Sequence, residues 1–175
     1  MGNRNKDIEK LFEQKNKLEC KIKMIKQIIA DLEKLKQDEF VYCFVDFNPY
    51  KDERLVESEL GMIPEGCKVG TFTDLLKKYK QKTENINIDK VLETSCQFSH
   101  YVYYAWKSKY DQGITNGFEN EPVLIPDEAE LKDFEEQAGI WQSIKLKKEA
   151  ELSKLLKIRK TLLWEMVLLE KATPE

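Results

Sequence analysis

The chain has one histidine, four cysteines with no CxxC pair among them, seven glycines, five prolines, and no apolar run long enough to cross a bilayer. Each scarcity closes off some chemistry. A single imidazole, His100, and thiols scattered at Cys20, Cys43, Cys67 and Cys96 give no ligand set with zinc spacing and no paired catalytic motif. Few glycines and prolines argue against a turn-rich all-β fold and for long helices. The opening residues MGNRNKDIEK lack the apolar core of a signal peptide. These features lead us to expect a soluble, intracellular protein, cytoplasmic or nuclear, with reduced thiols and no membrane partner.

No segment is strongly basic. Residues 1–36 carry ten Lys/Arg against six Asp/Glu, residues 37–126 ten against fifteen, and residues 127–175 nine against eleven. That balance makes nucleic acid the less favoured partner and protein the more favoured one.

What the sequence does have is heptads. From Asp127 to Lys171 the residues Leu131, Phe134, Ala138, Trp141, Leu152, Leu155, Leu162, Met166 and Leu169 occupy two apolar positions of one frame, interrupted by Lys145, Lys148 and Arg159. Asp127 opens this helix as a cap with Glu130 three residues on, acids crowd its first turns, and Gly139 is its one weak point. A second helix spans Asp7 to Lys36. Ile8, Ile22 and Ile29 share one position and Leu11, Leu18, Ile25 and Leu32 the other, with Lys15 the polar exception. At the usual rise the two helices would be about 45 and 65 Å long and could pair along the shorter one.

The expected architecture is therefore mainly α: an elongated antiparallel helical hairpin or coiled coil, with a small helix-rich head containing one or two short strands. The implied division is 5–37 for the first coiled-coil helix, 38–126 for the head, and 127–171 for the long C-terminal helix. Within the head, residues 38–47 (DEFVYCFVDF) read as a buried strand and Val123-Leu124-Ile125 as a second. Residues 40–47 and 122–125 are expected to lie side by side, antiparallel. Asp52 to Leu60 reads as a short helix and Pro64 to Gly70 as a loop; Thr71 and Asp74 form a capping box for a helix to about Lys82. Asn87 caps a helix running through Phe98 and Trp106 to about Tyr110, and a loop follows to Pro122.

Three constellations come close to a chemical motif. Asp46, Asn48, Asp52 and Glu57 match some ligands of a calcium loop, but Tyr50 and Lys51 stand where a ligand and a glycine are required. Cys96 and His100 share a helical face, yet a nucleophile would need His100 oriented by an acid and the thiol activated. Fourteen of the eighteen aromatics lie between Phe40 and Phe118, and the 98–110 stretch interleaves them with lysines. We read this last feature as a protein-binding surface of Tyr101, Tyr104, Trp106 and Tyr110.

The long C-terminal helix carries a second apolar set outside its seam, Ile140, Ile144, Ile158, Leu163 and Val167, which a two-helix hairpin would leave uncovered. Together with Leu155 and Leu162 these residues are expected to hold a protein partner or a second copy. The functional expectation is a non-enzymatic assembly subunit with no catalytic residue, cofactor or metal. Nucleic-acid association through the Lys-rich faces and Tyr/Trp residues ranks second, and a cysteine-dependent enzyme third.

Overall fold

The computed structural model describes residues 2–78, 99–111 and 120–171. The fold is mainly helical, with two long helices, α1 (Gly2–Phe44) and α4 (Glu128–Lys171), and four short strands in two small sheets. The chain divides into two compact units, one of residues 1–34 and 142–175, the other of residues 35–141.

In the first unit the N-terminal part of α1 and the C-terminal part of α4 pack antiparallel. Ile22, Ile25 and Leu155 are buried at the centre, with Leu18, Ile29, Leu152 and Leu156 packed against them. The direction is fixed by ion pairs whose partners run in opposite order: Glu33 with Lys145 at 2.8 Å, and Glu19 with Arg159 at 3.7 Å. Two of the bases that interrupt the apolar seam are thus neutralised by acids from α1. The third, Lys148, pairs with Glu151 of its own helix at 3.0 Å.

The second unit is built from the remainder of both long helices and everything between them. After α1 come a 3-10 turn (Asn48–Tyr50), strands β1 (Leu55–Ser58), β2 (Gly61–Pro64) and β3 (Lys68–Thr71), helix α2 (Phe72–Lys78), helix α3 (Ser99–Asp111) and strand β4 (Pro122–Ile125). β1 and β2 form an antiparallel hairpin in which Val56 faces Ile63. β3 and β4 form the second antiparallel pair, Val69 opposite Leu124. Around them lies an aromatic core of Phe40, Phe44, Tyr101, Tyr104 and Phe134, with ring centroids 4.9 Å apart for Phe44 and Tyr101 and 5.2 Å for Phe44 and Phe134.

Three local expectations are corrected. Residues 38–44 are helical, not a strand. Their β-branched and aromatic composition suits either state, but burial recurs at Lys36, Phe40, Cys43 and Phe44, a helical spacing, and α1 propagates into them from its heptads. β4 consequently pairs with β3, in what read as the Pro64–Gly70 loop, rather than with 40–47. The 52–60 helix is in fact most of a hairpin. Gly61 takes φ +92° at its turn, and Ser58 Oγ accepts from Leu60 N and donates to Gly61 O. Within α3 the N–H groups of His100 and Tyr101 donate to Glu135 of α4. The Asn87 cap and the residues from there to Phe98 lie outside the described residues, as do Lys82 and most of the 111–122 loop.

Two capping expectations hold. Thr71 N donates to Asp74 Oδ2 at 3.1 Å while Asp74 N donates to Thr71 Oγ1 at 3.1 Å. Asp127 Oδ1 accepts from Ala129 N at 2.8 Å at the start of α4.

Candidate interaction surface

Tyr101 and Tyr104 do not form a surface. Both are essentially inaccessible, and Tyr101 Oη donates to the Leu124 carbonyl at 2.7 Å. Trp106 is half-buried against the same core, and the side chain of Tyr110 is outside the described residues. Tyr101 packs edge-to-face on Phe44 and Tyr104 on Phe134, with Phe40 tilted against both, in the core of a unit whose strands are only four residues long. Tyr101 and Tyr104 therefore serve folding and not a surface. Leu155 and Leu162 are likewise buried, Leu155 in the seam between α1 and α4.

The other five partner-binding residues are exposed. They do not form one stripe. At about 100° per residue, positions seven apart lie nearly above one another. Ile144, Glu151 and Ile158 therefore share one row of α4, and the Lys21–Glu151 ion pair at 3.6 Å marks the side of the pair on which it runs. Lys145, Leu152 and Arg159 share another row, marked by the Glu33 and Glu19 pairs as the opposite side. Leu156 and Leu163, with Val167 beside them, continue outward from this second row. Ile140, in the unit of residues 35–141, is 49% exposed.

On α4 three exposed apolar side chains escaped the heptad reading: Leu146, Trp164 at 59% and Leu168 at 59%. The signal was present in TLLWEMVLLE, where apolar residues occupy more of the circumference than one seam can bury. Leu163, Trp164, Val167 and Leu168 fall within about 140° of one another and form one continuous apolar patch. Phe12, 46% exposed, shares its heptad position with Glu19 and Glu33 and so lies on the Leu163 side.

Charge separates between the units. Residues 1–34 with 142–175 hold seventeen Lys/Arg against eleven Asp/Glu, a net of +6; residues 35–141 hold twelve against twenty-one, a net of −9.

The remaining candidates are closed or dispersed. Glu135 Oε2 lies 2.9 Å from His100 Nδ1, so the imidazole has an orienting acid, but Nε2 is enclosed without a hydrogen-bond partner and Cys96 lies outside the described residues. Burial, helped by Glu39 and Glu130, pushes the Cys43 thiol up to about 12. Burial also raises Cys67 and the neighbouring Tyr50. These thiols are poor nucleophiles. Asn48 donates to the Tyr42 carbonyl and Glu57 sits on β1 opposite Met62, so the partial calcium pattern does not converge. No group of three or more His, Cys, Asp or Glu among the described residues could hold a metal ion, and no described helix is long and apolar enough to cross a membrane. Comparison with family models, curated proteins and solved structures finds no match.

Proposed function

We propose that this chain is a non-enzymatic interaction or assembly subunit that holds a protein partner on the outer faces of its paired long helices. The observation that carries the reading is the continuous patch of Leu163, Trp164, Val167 and Leu168 on α4, left open although the seam beside it is already filled by Leu155 and Leu162. Large apolar side chains gathered in one exposed patch mark association surfaces, whereas scattered ones do not. Trp is also the residue most enriched at binding hot spots. The helical pair works in this reading as a coiled-coil arm within a larger complex.

The test is Trp164→Glu with Leu168→Glu. Both side chains point away from the seam, so the circular dichroism spectrum and melting temperature should stay near wild type while partner capture in the host cell falls at least tenfold. An unchanged set of captured proteins would refute the reading. The net charge of +6 on residues 1–34 and 142–175 favours nucleic-acid association as a second reading. It predicts retention on single strands that weakens steeply with salt, whether or not the apolar patch is mutated.

A further inference from the structure

The side of the helical pair marked by the Glu33–Lys145 and Glu19–Arg159 ion pairs has an apolar floor and a basic rim. Leu152 and Leu156 are half-buried there and line a hollow of about 380 Å³ with Lys157, Lys160 and one acid, Glu149. Further along lie Leu163, Val167 and, from α1, Phe12. Beside the Glu19–Arg159 pair, Lys23 and Lys26 line a second hollow with Ile22.

The acids on this side are already used. Glu33 and Glu149 both approach Lys145, and Glu19 approaches Arg159. Lys23, Lys26, Lys157 and Lys160 are exposed and enter no ion pair among the described residues. Because Glu33 and Glu149 share one lysine, the three acids and six bases named here leave the side with a net charge of +3. From Lys145 to Leu163 the face is about 27 Å long, five helical turns.

We propose that this face seats an acidic amphipathic helix of another protein, its apolar stripe on Leu152, Leu156, Leu163 and Phe12 and its carboxylates on Lys23, Lys26, Lys157 and Lys160. The inference rests on the assembly role above and names the chemistry of the partner. Two packed helices leave a groove into which a third fits by the ridge and groove geometry of helix bundles. A second copy of the helical pair is the wrong occupant, because it would bring one +6 unit against another. Contiguous leucines make the face equally unsuited to a bare phosphate backbone, which rewards charge alone.

The probes are two labelled synthetic peptides of four heptads, both with Leu at the two seam positions, one with Glu and the other with Lys at the flanking positions. Like charge at the flanks keeps each peptide from pairing with itself. Fluorescence anisotropy with the full chain should show the Glu peptide binding at least tenfold more tightly than the Lys peptide at low salt. Lys157→Glu with Lys160→Glu should abolish or reverse that preference, and Leu156→Glu should weaken binding at least tenfold. Equal binding of both peptides would overturn the acidic-partner inference and leave the assembly role standing. No binding of either peptide would overturn the inference; retention on phosphatidylserine vesicles or single-stranded DNA in that case would remove the assembly role as well. A stable dimer in sedimentation equilibrium that Leu156→Glu dissociates would assign the face to a second copy and end the proposal.

Discussion

Glu135 is the residue whose loss should be felt most out of proportion to its place on a helix surface. His100 and Tyr101 are the second and third residues of α3, the positions whose N–H groups an N-cap side chain ordinarily takes. Here a carboxylate from α4 takes both: Tyr101 N donates to Oε1 at 2.6 Å and His100 N to Oε2 at 3.3 Å, with His100 Nδ1 at 2.9 Å from Oε2. Its negative charge also sits at the positive end of the helix dipole. Removing it leaves two partly enclosed N–H groups without an acceptor, at about 1–3 kcal/mol each before relaxation and water entry. Glu135→Ala should therefore cost about 2–4 kcal/mol. Glu135→Gln is the sharper test. An amide keeps the size but offers one oxygen, so its NH₂ must face one of the two donors, and a loss of about 1.5–3 kcal/mol is expected. Glu136→Gln, one residue on and exposed, should stay within about 0.5 kcal/mol of wild type. Urea unfolding followed by far-UV circular dichroism reads all three. If Glu135→Gln and Glu135→Ala both fell within 0.5 kcal/mol of wild type, the cross-element cap would have no energetic weight.

Three further outcomes follow from single side chains. Burial, then Asp133, Asp127 and Glu53, raise the Glu130 carboxyl; a raised acid favours the folded state only while protonated, an advantage complete below the unfolded value of about 4.3 and lost as pH rises through the folded one. Glu130→Gln should then be more stable than wild type at pH 7 by a few tenths of a kcal/mol, with the difference gone at pH 3 in paired melts; an equal gain at both pH values would exclude the electrostatic cause. With its thiol near 12, Cys43 should react with iodoacetamide at pH 8 roughly 10³-fold more slowly than an ordinary cysteine; exposed Cys20 should label first, and mass mapping that found Cys43 labelled alongside it would contradict the burial. An added Cβ at Gly139 meets nothing within 4 Å, so Gly139→Ala should stabilise α4 by about 0.5–1 kcal/mol and raise the melting temperature by about 2–4 °C, whereas a fall would reveal a strained or kinked backbone there.

The sequence was most legible where one period ran long. Four heptads from Ile8 to Leu32 and the matching run in α4 specified two long helices, since the helical state is reinforced at every turn. It was least legible over short apolar blocks. VYCFV at residues 41–45 has strand composition, and only knowing that a helix already enters from Lys36 decides it. The β1–β2 hairpin was hidden for a related reason. Four-residue strands offer two alternations at most, and Gly61 signals a helix stop as well as a turn. The proposed interaction surface was half legible. Exposed Ile144 and Ile158 could be found by subtracting the seam from the apolar inventory, but which side each row faced depended on Glu19, Lys21 and Glu33, residues more than a hundred positions away. The tyrosines were misread because richness in Tyr says that rings must be placed, not whether they face solvent or, as Tyr101 and Tyr104 do, a core shared with Phe40, Phe44 and Phe134.

The bases in the α4 seam connect these observations. Lys145 and Arg159 occupy positions where leucine would pack better, and each is matched by an acid seven-fold in register on α1, Glu33 and Glu19 fourteen residues apart. Sliding α4 by one heptad would set Lys145 against Lys26, the residue between those two acids in the same row, so the pattern penalises the nearest alternative register. The Glu19–Arg159 pair is about 40% exposed and contributes little stability, about 0–1 kcal/mol. Its value here is alignment. A pair locked in that register holds Phe12 on the same side as Leu163 with Lys23, Lys26, Lys157 and Lys160 along it, which is the arrangement an acidic helix would need to find already formed.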